Sequence, residues 1–328
     1  MKYKNLGSSG IKVSVIGLGC MGMTHAYGAP SDEADMTELI HAAVDMGVTF
    51  FDTAECYAAE DTGGKTLYNE ELVGKALKPY RGKIVIATKF GVRHRSDSTL
   101  LTDSRPETIR KSVEGSLKRL NTDYIDLYYQ HRIDPDIQPE EVAEVMSELI
   151  REGKIRAWGV SEAGEDYILR ANKVCRMAAV QNRYSMMYQS YDNLLPVLKS
   201  ADIAFVAHSP LANGFLSGKY DESSRFDERY DYRSGMPQFK AENIDKNMAL
   251  LKLLSDIAEE KSATSAQISL AWLMEKGIIP IPGTRKLQRL RENIGAADIA
   301  LTAAEAENID CALRNMEMSE VFGGHKAS

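Results

Sequence analysis

The sequence predicts an α/β fold, a (β/α)₈ TIM barrel with an extra helix at its C-terminal end. Short apolar runs alternate with amphipathic segments along the chain, and eight such runs occur, each followed by helical sequence. Most runs are rich in Val, Ile, Tyr and Phe, and continuous apolar runs are typical of strands buried on both faces of a parallel sheet. Two dinucleotide-binding halves would also supply many β/α units, so that alternative stays open at this point.

The chain of 328 residues is long enough for two domains or for one barrel. No linker rich in Gly, Ser or Pro divides it, and we therefore expect residues 1–328 to form a single domain. Strands are expected at 13–17, 49–51, 84–88, 125–129, 155–160, 178–180, 203–207 and 278–281. Helices are expected at 36–46, 69–77, 106–120, 139–152, 166–171, 193–199 and 245–270.

Two segments fall outside this alternation. Residues 218–243 are polar and lack a clear period, and a connection of that length is usually functional or mobile. Residues 302–316 form an amphipathic helical pattern in which Thr302 precedes Glu305 by three positions. That spacing predicts a capping box at the start of a helix that packs on the outside of the main body.

Composition limits the class of protein. The formal net charge is −7, so no overall positive field favours nucleic acid. The sequence contains no run of 18 apolar residues, so it predicts no membrane-spanning helix. The N-terminus does not have the pattern of a signal peptide. The four cysteines are scattered without a C-x-x-C pair, which predicts free thiols in the cytoplasm rather than a zinc or dithiol site.

The stretch VIGLGCMG, residues 15–22, matches the glycine pattern of a dinucleotide-binding turn. Such a turn requires a helix at its third glycine and an acidic residue about 20 positions further on. Here Gly28 and Pro30 interrupt the segment after Gly22, and the strand-ending acid Asp52 lies 30 positions beyond it. We therefore expect these glycines to let the backbone approach a ligand closely at the mouth of a barrel.

Polar residues that directly follow the apolar runs matter because the chemistry of a barrel lies at the carboxyl ends of its strands. Asp52, Lys89 and His131 follow three successive runs, and Tyr57 lies five positions after Asp52. Each alone is typical of a turn former, a solvated cation or a core histidine. Together they would place a carboxylate, a phenol, an ammonium and an imidazole at one mouth. Later strand ends carry Ser161, Glu162, Gln181, Asn182, His208, Ser209, Gly283, Thr284 and Arg285.

The first four groups suit proton delivery. A phenol with a pKa of about 10 is a weak acid at neutral pH, and a neighbouring ammonium would lower that pKa. Asp52 would hold Lys89 charged, Tyr57 would protonate an oxygen that gains negative charge, and His131 would position that oxygen. General acid catalysis of this kind contributes about 10²–10⁴ in rate.

None of these residues donates a hydride, so this chemistry needs a cofactor. In the basic segment IPGTRKLQRLREN, Gly283 and Thr284 lie at a strand-to-helix turn, where free backbone N–H groups favour phosphate. Arg285 and Arg289 are four apart and would share one side of the helix, which suits a 2′-phosphate. A solvated basic helix face is equally compatible with this segment.

The chain resembles the bacterial and plant-type branch of the aldo-keto reductase superfamily along nearly its whole length. The matching stretches are LGSSGIKVSVIGLGCMGM, FFDTAECY, NEELVGKALK, IATKFG, SLKRLNTDYIDLYYQHR, GKIRAWGVSE, VQNRYS, SPLANGFLSGKY and IPIPGTRKLQRLRENIGA. The resemblance implies a (β/α)₈ barrel with an N-terminal β-hairpin at its floor, without a dinucleotide-binding domain, that binds NADPH in an extended form.

The resemblance also assigns residues. The catalytic tetrad falls on Asp52, Tyr57, Lys89 and His131. The cofactor contacts fall on Met21, Asp52, Ser161, Glu162, Gln181, His208, Ser209, Pro210, Leu211, Gly214, Gly283, Thr284, Arg285, Gln288, Arg289, Glu292 and Asn293.

Two of these positions depart from the pattern. Many relatives carry Asn at the position of Glu162, and a carboxylate cannot donate a hydrogen bond to the carboxamide oxygen of nicotinamide. Many relatives also carry Tyr or Trp at the position of His208, which offers a smaller surface for stacking on the nicotinamide ring.

The expected function is NADPH-dependent reduction of small aldehydes, and of ketones, to alcohols. Met21, Cys56, Phe90 and the segment 218–243 would shape a largely apolar substrate pocket. A different hypothesis is a redox-sensing subunit that binds NADPH with little turnover, as potassium-channel β subunits of this superfamily do. A metal-dependent hydrolase that uses Asp52 and His131 is a third, but six histidines without an H-x-H pattern disfavour it, and we expect no metal site.

Overall fold

The computed structural model describes residues 1–60, 64, 66–94, 100–228 and 231–321. The expected single domain 1–328 and the segment 218–243 therefore each include residues outside the described ranges. The strands are β1 (Tyr3–Asn5), β2 (Lys12–Ser14), β3 (Leu18–Gly19), β4 (Phe50–Asp52), β5 (Ala58–Glu60), β6 (Thr66–Tyr68), β7 (Val85–Phe90), β8 (Val92–His94), β9 (Leu100–Thr102), β10 (Ile125–Gln130), β11 (Ile155–Ser161), β12 (Ala179–Arg183), β13 (Ala204–His208) and β14 (Ile279–Pro280). The helices are α1 (Glu33–Asp45), α2 (Asn69–Leu77), α3 (Pro106–Leu120), α4 (Pro139–Arg151), α5 (Glu165–Val174), α6 (Leu194–Ser200), α7 (Ala241–Ile244), α8 (Met248–Glu260), α9 (Ser265–Glu275), α10 (Leu287–Gly295) and α11 (Ala303–Arg314).

Eight parallel strands form the central sheet, in the order β3-β4-β7-β10-β11-β12-β13-β14. The first and last strands meet at a seam, where Gly19 forms a parallel bridge with Gly283. The Gly17 N–H also donates to the Pro280 carbonyl at 2.9 Å. The predicted (β/α)₈ architecture is therefore confirmed, and because all eight strands run parallel, their carboxyl ends share one rim.

The seam depends on glycine. A Cβ added to Gly19 would lie 2.8 Å from the Ile281 carbonyl oxygen, and one added to Gly283 would lie 2.9 Å from the Gly19 oxygen. Only residues without a side chain let the two strands approach this closely. Gly17 and Gly19 of VIGLGCMG thus serve barrel closure, a role that the sequence analysis did not predict, and the segment does not form a dinucleotide-binding turn.

An antiparallel hairpin of β1 and β2 forms the floor of the barrel. Leu6, Ile11 and Val13 of this hairpin region belong to one buried cluster with inward residues of the barrel strands. The predicted strand 13–17 was wrong, because residues 12–14 pair within the hairpin and the barrel strand is the two-residue β3. Strand β3 pairs with β4 through two residues, Leu18 opposite Phe51 and Gly19 opposite Asp52.

Most helix boundaries follow local signals. The Asp32 side chain caps α1 by accepting hydrogen bonds from the Ala34 and Asp35 backbone N–H groups. Pro106 begins α3, and Asn121 ends it in the left-handed conformation with φ 51°. The capping box of Thr302 and Glu305 is present at the start of α11, which confirms the predicted C-terminal helix.

Two segments differ from prediction. The single helix expected at 245–270 is divided into α8 and α9, because Ser262 takes a left-handed conformation with φ 50° and Thr264 begins a new capping box with Gln267. The segment expected to be irregular at 218–243 contains single turns of 3₁₀ helix at Tyr232–Gly235 and Pro237–Phe239 and the short helix α7.

Candidate active site

A cleft of about 930 Å³ lies at the carboxyl rim of the barrel. Its lining includes the ends of barrel strands, residues between 21 and 27 after β3, and residues from 209–228 and 231–236 after β13. Asp52, Tyr57 and His131 form one part of the lining, called the first end of the cleft. A second part, called the far end, is formed by Gly283, Thr284, Arg285, Lys286, Arg289, Glu292 and Asn293. The lining thus combines residues from several loops of the rim.

At the first end, the structure brings the four predicted tetrad residues together. Lys89 and Asp52 form an ion pair and are 0% and 3% exposed. The Lys89 Nζ also donates to the Thr53 carbonyl at 2.8 Å and lies 3.4 Å from the Tyr57 hydroxyl. The Tyr57 and His131 rings lie edge to face with centroids 5.6 Å apart. A carboxylate, an ammonium, a phenol and an imidazole therefore converge at one point of the cleft.

The Tyr57 phenol is held in its protonated form. Burial raises its pKa well above 10, and the charge of Asp52 adds to that effect. The expected lowering of this pKa by the neighbouring Lys89 does not prevail over burial and the charge of Asp52. Tyr57 therefore carries a proton at neutral pH, as a general acid must.

His131 lies beside a thiol. The Cys56 Sγ is 3.4 Å from the His131 Nδ1. Burial raises the pKa of Cys56 to about 12, so the sulfur is a thiol at neutral pH. Cys56 lines the cleft, as expected for the substrate pocket. Phe90, by contrast, is fully buried in the core and packs against Tyr128, so the prediction that it shapes the pocket was wrong.

The residues expected to bind the nicotinamide carboxamide already have partners. The Gln181 Nε2 donates to the Asp52 Oδ2 at 2.7 Å, which fixes the second oxygen of the carboxylate that pairs with Lys89. The Ser161 hydroxyl accepts a hydrogen bond from the Arg132 Nη1 at 3.3 Å. Both side chains line the cleft beside the tetrad.

Glu162 and His208, the two departures from the family pattern, form a pair. The His208 Nε2 is 2.7 Å from the Glu162 Oε1, which also accepts a hydrogen bond from the Arg183 backbone N–H at 2.6 Å. Because a carboxylate only accepts, the imidazole carries its proton on Nε2. Burial lowers the pKa of His208, so the imidazole is neutral at neutral pH. His208 lines the cleft, whereas Glu162 lies behind it and outside the lining residues.

The loop after β13 has an unusual backbone. Ser209, Ala212 and Asn213 all have positive φ angles, of 50°, 47° and 61°, and Gly214 follows at 97°. Non-glycine residues in this region are strained, and such strain concentrates at ligand clamps. Ser209, Pro210, Leu211 and Gly214, which the resemblance assigns to the cofactor, all line the cleft.

At the far end, Arg285 and Arg289 both line the cleft but do not form the expected helical pair. Helix α10 begins at Leu287, so Arg285 precedes it. The Arg285 guanidinium instead donates to backbone carbonyls of the loop after β3, those of Gly22, Ala29 at 2.8 Å and Gly28 at 3.4 Å. Arg285 therefore ties two rim loops together, and this role could not be predicted from its spacing to Arg289.

Of the other residues predicted to contact the cofactor, all but one of those named here line the cleft. Gly283, Thr284, Glu292 and Asn293 line the cleft, as does Met21 near the tetrad, whereas Gln288 is exposed and lies outside it. Glu292 accepts a hydrogen bond from Lys219 through Oε2 at 3.2 Å, while its buried Oε1 has no partner among the described residues.

Several cleft residues were missed by the sequence reasoning. His25 and Tyr232 approach each other across the cleft, with the Tyr232 hydroxyl 3.0 Å from the His25 Nε2. Asn213 donates to the Tyr27 hydroxyl at 2.7 Å. These pairs join segments about 190 to 210 positions apart, so no local pattern predicts them. Arg132 also lines the cleft, and its position directly after His131 was a signal that could have found it.

Comparison with known proteins agrees with this geometry. The model of the aldo/keto reductase family matches residues 15–314. The chain belongs to the aldo/keto reductase family. Members of this family are oxidoreductases that act on small carbonyl compounds with NADH or NADPH. "Probable aldo-keto reductase 1" from Glycine max is 39% identical over 326 residues, which cover 97% of this chain and 90% of that protein.

Solved structures of aldo-keto reductases have the same fold. A glycerol dehydrogenase from Gluconobacter oxydans superposes with a TM-score of 0.84 at 27% identity, covering 99% of this chain and 98% of that one. The holo form of an aldo-keto reductase from Bacillus halodurans gives a TM-score of 0.76 at 27% identity, with 99% of each chain covered. A thermostable aldo-keto reductase in complex with the inhibitor epalrestat gives 0.72 at 30% identity, covering 95% of this chain and 100% of that one.

None of the helices in the described part of the chain is long and apolar enough to cross a membrane. Within the described ranges, no three His, Cys, Asp or Glu side chains form a group that could hold a metal ion.

Proposed function

We propose that this aldo-keto reductase reduces aldehydes, and ketones, to alcohols with NADPH, and that Tyr57 is the general acid. The observation that carries the proposal is the Tyr57 hydroxyl, 3.4 Å from the Lys89 Nζ and beside the His131 ring in the cleft. Because burial keeps the phenol protonated, Tyr57 holds a transferable proton where a carbonyl oxygen can reach it.

The cleft fits a nicotinamide dinucleotide on three observations. Its volume of about 930 Å³ lies in the range of cofactor sites. The strained loop from Ser209 to Gly214 borders its middle, where a pyrophosphate would lie. The Glu292 Oε1 offers a buried acceptor that no described residue uses, which suits the amino group of an adenine.

Each of the four tetrad residues has a separate role in the reduction of the carbonyl group. When bound, the reduced nicotinamide supplies the hydride that the carbonyl carbon accepts. Tyr57 donates its proton to the carbonyl oxygen, and His131 hydrogen-bonds the same oxygen and orients it. Lys89 stabilises the phenolate that Tyr57 becomes, and Asp52, fixed by Gln181, holds Lys89 charged and in place.

The preference for NADPH rests on the basic far end of the cleft. Arg289 and Lys286 line it beside the hydroxyl of Thr284, while Arg285 is engaged with backbone carbonyls. A guanidinium and an ammonium next to a hydroxyl suit a phosphate monoester. We therefore assign the 2′-phosphate chiefly to Arg289.

The test separates binding from turnover. Cofactor binding is measured by quenching of protein fluorescence with NADPH, and turnover by loss of NADPH absorbance with a panel of aromatic and aliphatic aldehydes. We expect tight NADPH binding and reduction of several aldehydes. Binding without turnover of any aldehyde would contradict the reductase proposal and favour the redox-sensing alternative, whereas absence of NADPH binding would contradict both.

A further inference from the structure

Arg132 brings a positive charge to the reacting end of the cleft. It follows His131 directly, at the end of β10, and is half-buried among the lining residues. Its Nη1 donates to the His131 carbonyl at 2.6 Å and to the Ser161 hydroxyl at 3.3 Å. These two contacts hold the guanidinium in the cleft, between the end of β10 and the end of β11.

Two other cations in or beside the cleft are each paired with a carboxylate. Lys89 pairs with Asp52, and Arg233 pairs with Asp231 at 2.5 Å. No carboxylate among the described residues forms an ion pair with Arg132, although its charge helps to lower the pKa of the Glu162 carboxyl. The described residues accept hydrogen bonds only from its Nη1. A half-buried guanidinium in this state has donors left for a ligand.

The charge of Arg132 acts on the reacting groups. Burial raises the pKa of Tyr57, and Arg132 is the cation that opposes this rise. Burial likewise raises the pKa of Cys56, and Arg132 again acts in the opposite direction, together with Lys89. Arg132, Tyr57 and Cys56 line the same cleft, so an anion bound at Arg132 would share that cleft with both groups.

We propose that Arg132 forms an anion subsite that selects carbonyl substrates bearing a carboxylate, such as formyl and oxo acids. The proposal rests on the reductase function proposed above. The planar guanidinium binds a carboxylate through two parallel hydrogen bonds, which fixes the orientation of the substrate as well as its position. With its carboxylate on Arg132, the substrate presents its carbonyl to the neighbouring His131 and to Tyr57.

A purely structural role for Arg132 leads to a different expectation. If it only held Ser161 and the end of β10, its loss would impair all substrates equally. A subsite for anions requires that its loss impair charged substrates selectively. The informative quantity is therefore the ratio of kcat/KM values for a charged and a neutral substrate of the same shape, measured within one variant, because general damage cancels in that ratio.

The experiment uses the full chain with saturating NADPH and two aldehydes, 4-formylbenzoate and its methyl ester. The ratio of kcat/KM for the carboxylate over that for the ester is measured in the wild type, Arg132→Met, Arg132→Lys and Arg176→Met. Arg176→Met is the matched control, since Arg176 is an exposed arginine that precedes β12, at the opposite end of the barrel. It changes the net charge as Arg132→Met does.

We expect the ratio to fall about 10- to 100-fold in Arg132→Met, mainly through a higher KM for 4-formylbenzoate, as for loss of a hydrogen-bonded charge pair. Arg132→Lys keeps the positive charge but cannot form the bidentate pair of hydrogen bonds, so it should give an intermediate ratio. Arg176→Met should keep the wild-type ratio. Added salt should lower the ratio in the wild type and leave it unchanged in Arg132→Met.

An unchanged ratio in Arg132→Met, with the ester still reduced, would overturn the subsite and leave the reductase function intact. An equal fall in Arg176→Met would also overturn it, because the effect would then come from net charge. If the wild type reduced neither aldehyde nor any other member of the panel, the reductase proposal would fail and the subsite with it.

Discussion

The two ends of the cleft are built differently. At the reacting end, Asp52 and Lys89 are almost fully buried, pair with each other and are fixed further by Gln181 and the Thr53 carbonyl. At the far end, Gly283 is exposed and Arg289 is half-buried. Reacting groups whose positions are fixed before a ligand binds raise the rate of the chemical step, whereas partly solvated groups contribute to ligand binding. Changes at the first end should therefore act on turnover, and changes at the second on cofactor binding.

The largest effect is expected for Tyr57→Phe, which removes the hydroxyl of the proposed proton donor and little else. Turnover should fall by about 10²–10⁴ because general acid catalysis is lost. The Kd for NADPH should stay within a few-fold of the wild type, since the phenyl ring still fills the same space. Single-turnover kinetics and fluorescence titration measure the two quantities. Wild-type turnover in Tyr57→Phe would refute the assignment of the acid.

Lys89→Met should damage both catalysis and stability. It leaves the buried Asp52 carboxylate without its cation, which costs about 3–5 kcal/mol of unfolding free energy. Chemical denaturation measures this loss. The double variant Asp52→Asn/Lys89→Met removes both charges and should regain part of the stability, although it should stay inactive. Additive losses in the double variant would contradict a coupled buried pair.

At the far end, Arg289→Ala and Arg285→Ala should differ. Arg289→Ala should weaken NADPH binding about tenfold and leave NADH binding nearly unchanged, because only NADPH carries the 2′-phosphate. Arg285→Ala should weaken both cofactors by a similar factor, because it releases the loop that carries Gly28 and Ala29. Fluorescence titration of each variant with NADPH and with NADH gives the two Kd values that test this difference. A selective loss of NADPH in Arg285→Ala would reverse the assignment.

The smallest effect is expected for Glu162→Gln, and it should depend on pH. Burial raises the pKa of the Glu162 carboxyl, but the hydrogen bond from His208 and nearby positive charges bring it below its usual 4.5. A carboxyl with a lowered pKa in the folded chain stabilises it above the unfolded pKa and loses that contribution as pH falls.

The wild type should therefore be more stable than Glu162→Gln by about 1 kcal/mol at pH 7. The difference should shrink once the pH falls below about 4.5, the ordinary pKa of the carboxyl. Denaturation at a series of pH values measures it. A difference that stays constant from pH 7 to pH 3 would show that the charge of Glu162 contributes nothing.

Sequence patterns located the middle of the barrel and one end of the cleft. The runs that became β10 and β11 were placed within one residue, because continuous apolar stretches leave little choice of boundary. The convergence of Asp52, Lys89 and His131 followed from one property, that parallel strands end at a common rim. Both inferences need only local pattern and chain direction.

The missed features depend on contacts between distant parts of the chain. The apolar residues near Val13 fit a barrel strand by pattern, yet they pack beneath the barrel as part of the hairpin. Arg285 fits a phosphate site by spacing, yet its partners lie in a loop more than 250 positions away. The pairing of Glu162 with His208 likewise joins two loops, and neither residue alone indicates it.

The glycine seam has a consequence for how the chain is made. Because the barrel closes only when Gly283 reaches Gly19, a ribosome must synthesise most of the polypeptide before the first strand acquires its second neighbour. Until then the nascent sheet presents two unpaired edges to other chains. Products truncated before Ile279 should therefore aggregate, whereas loss of α11, which follows the seam, should spare closure.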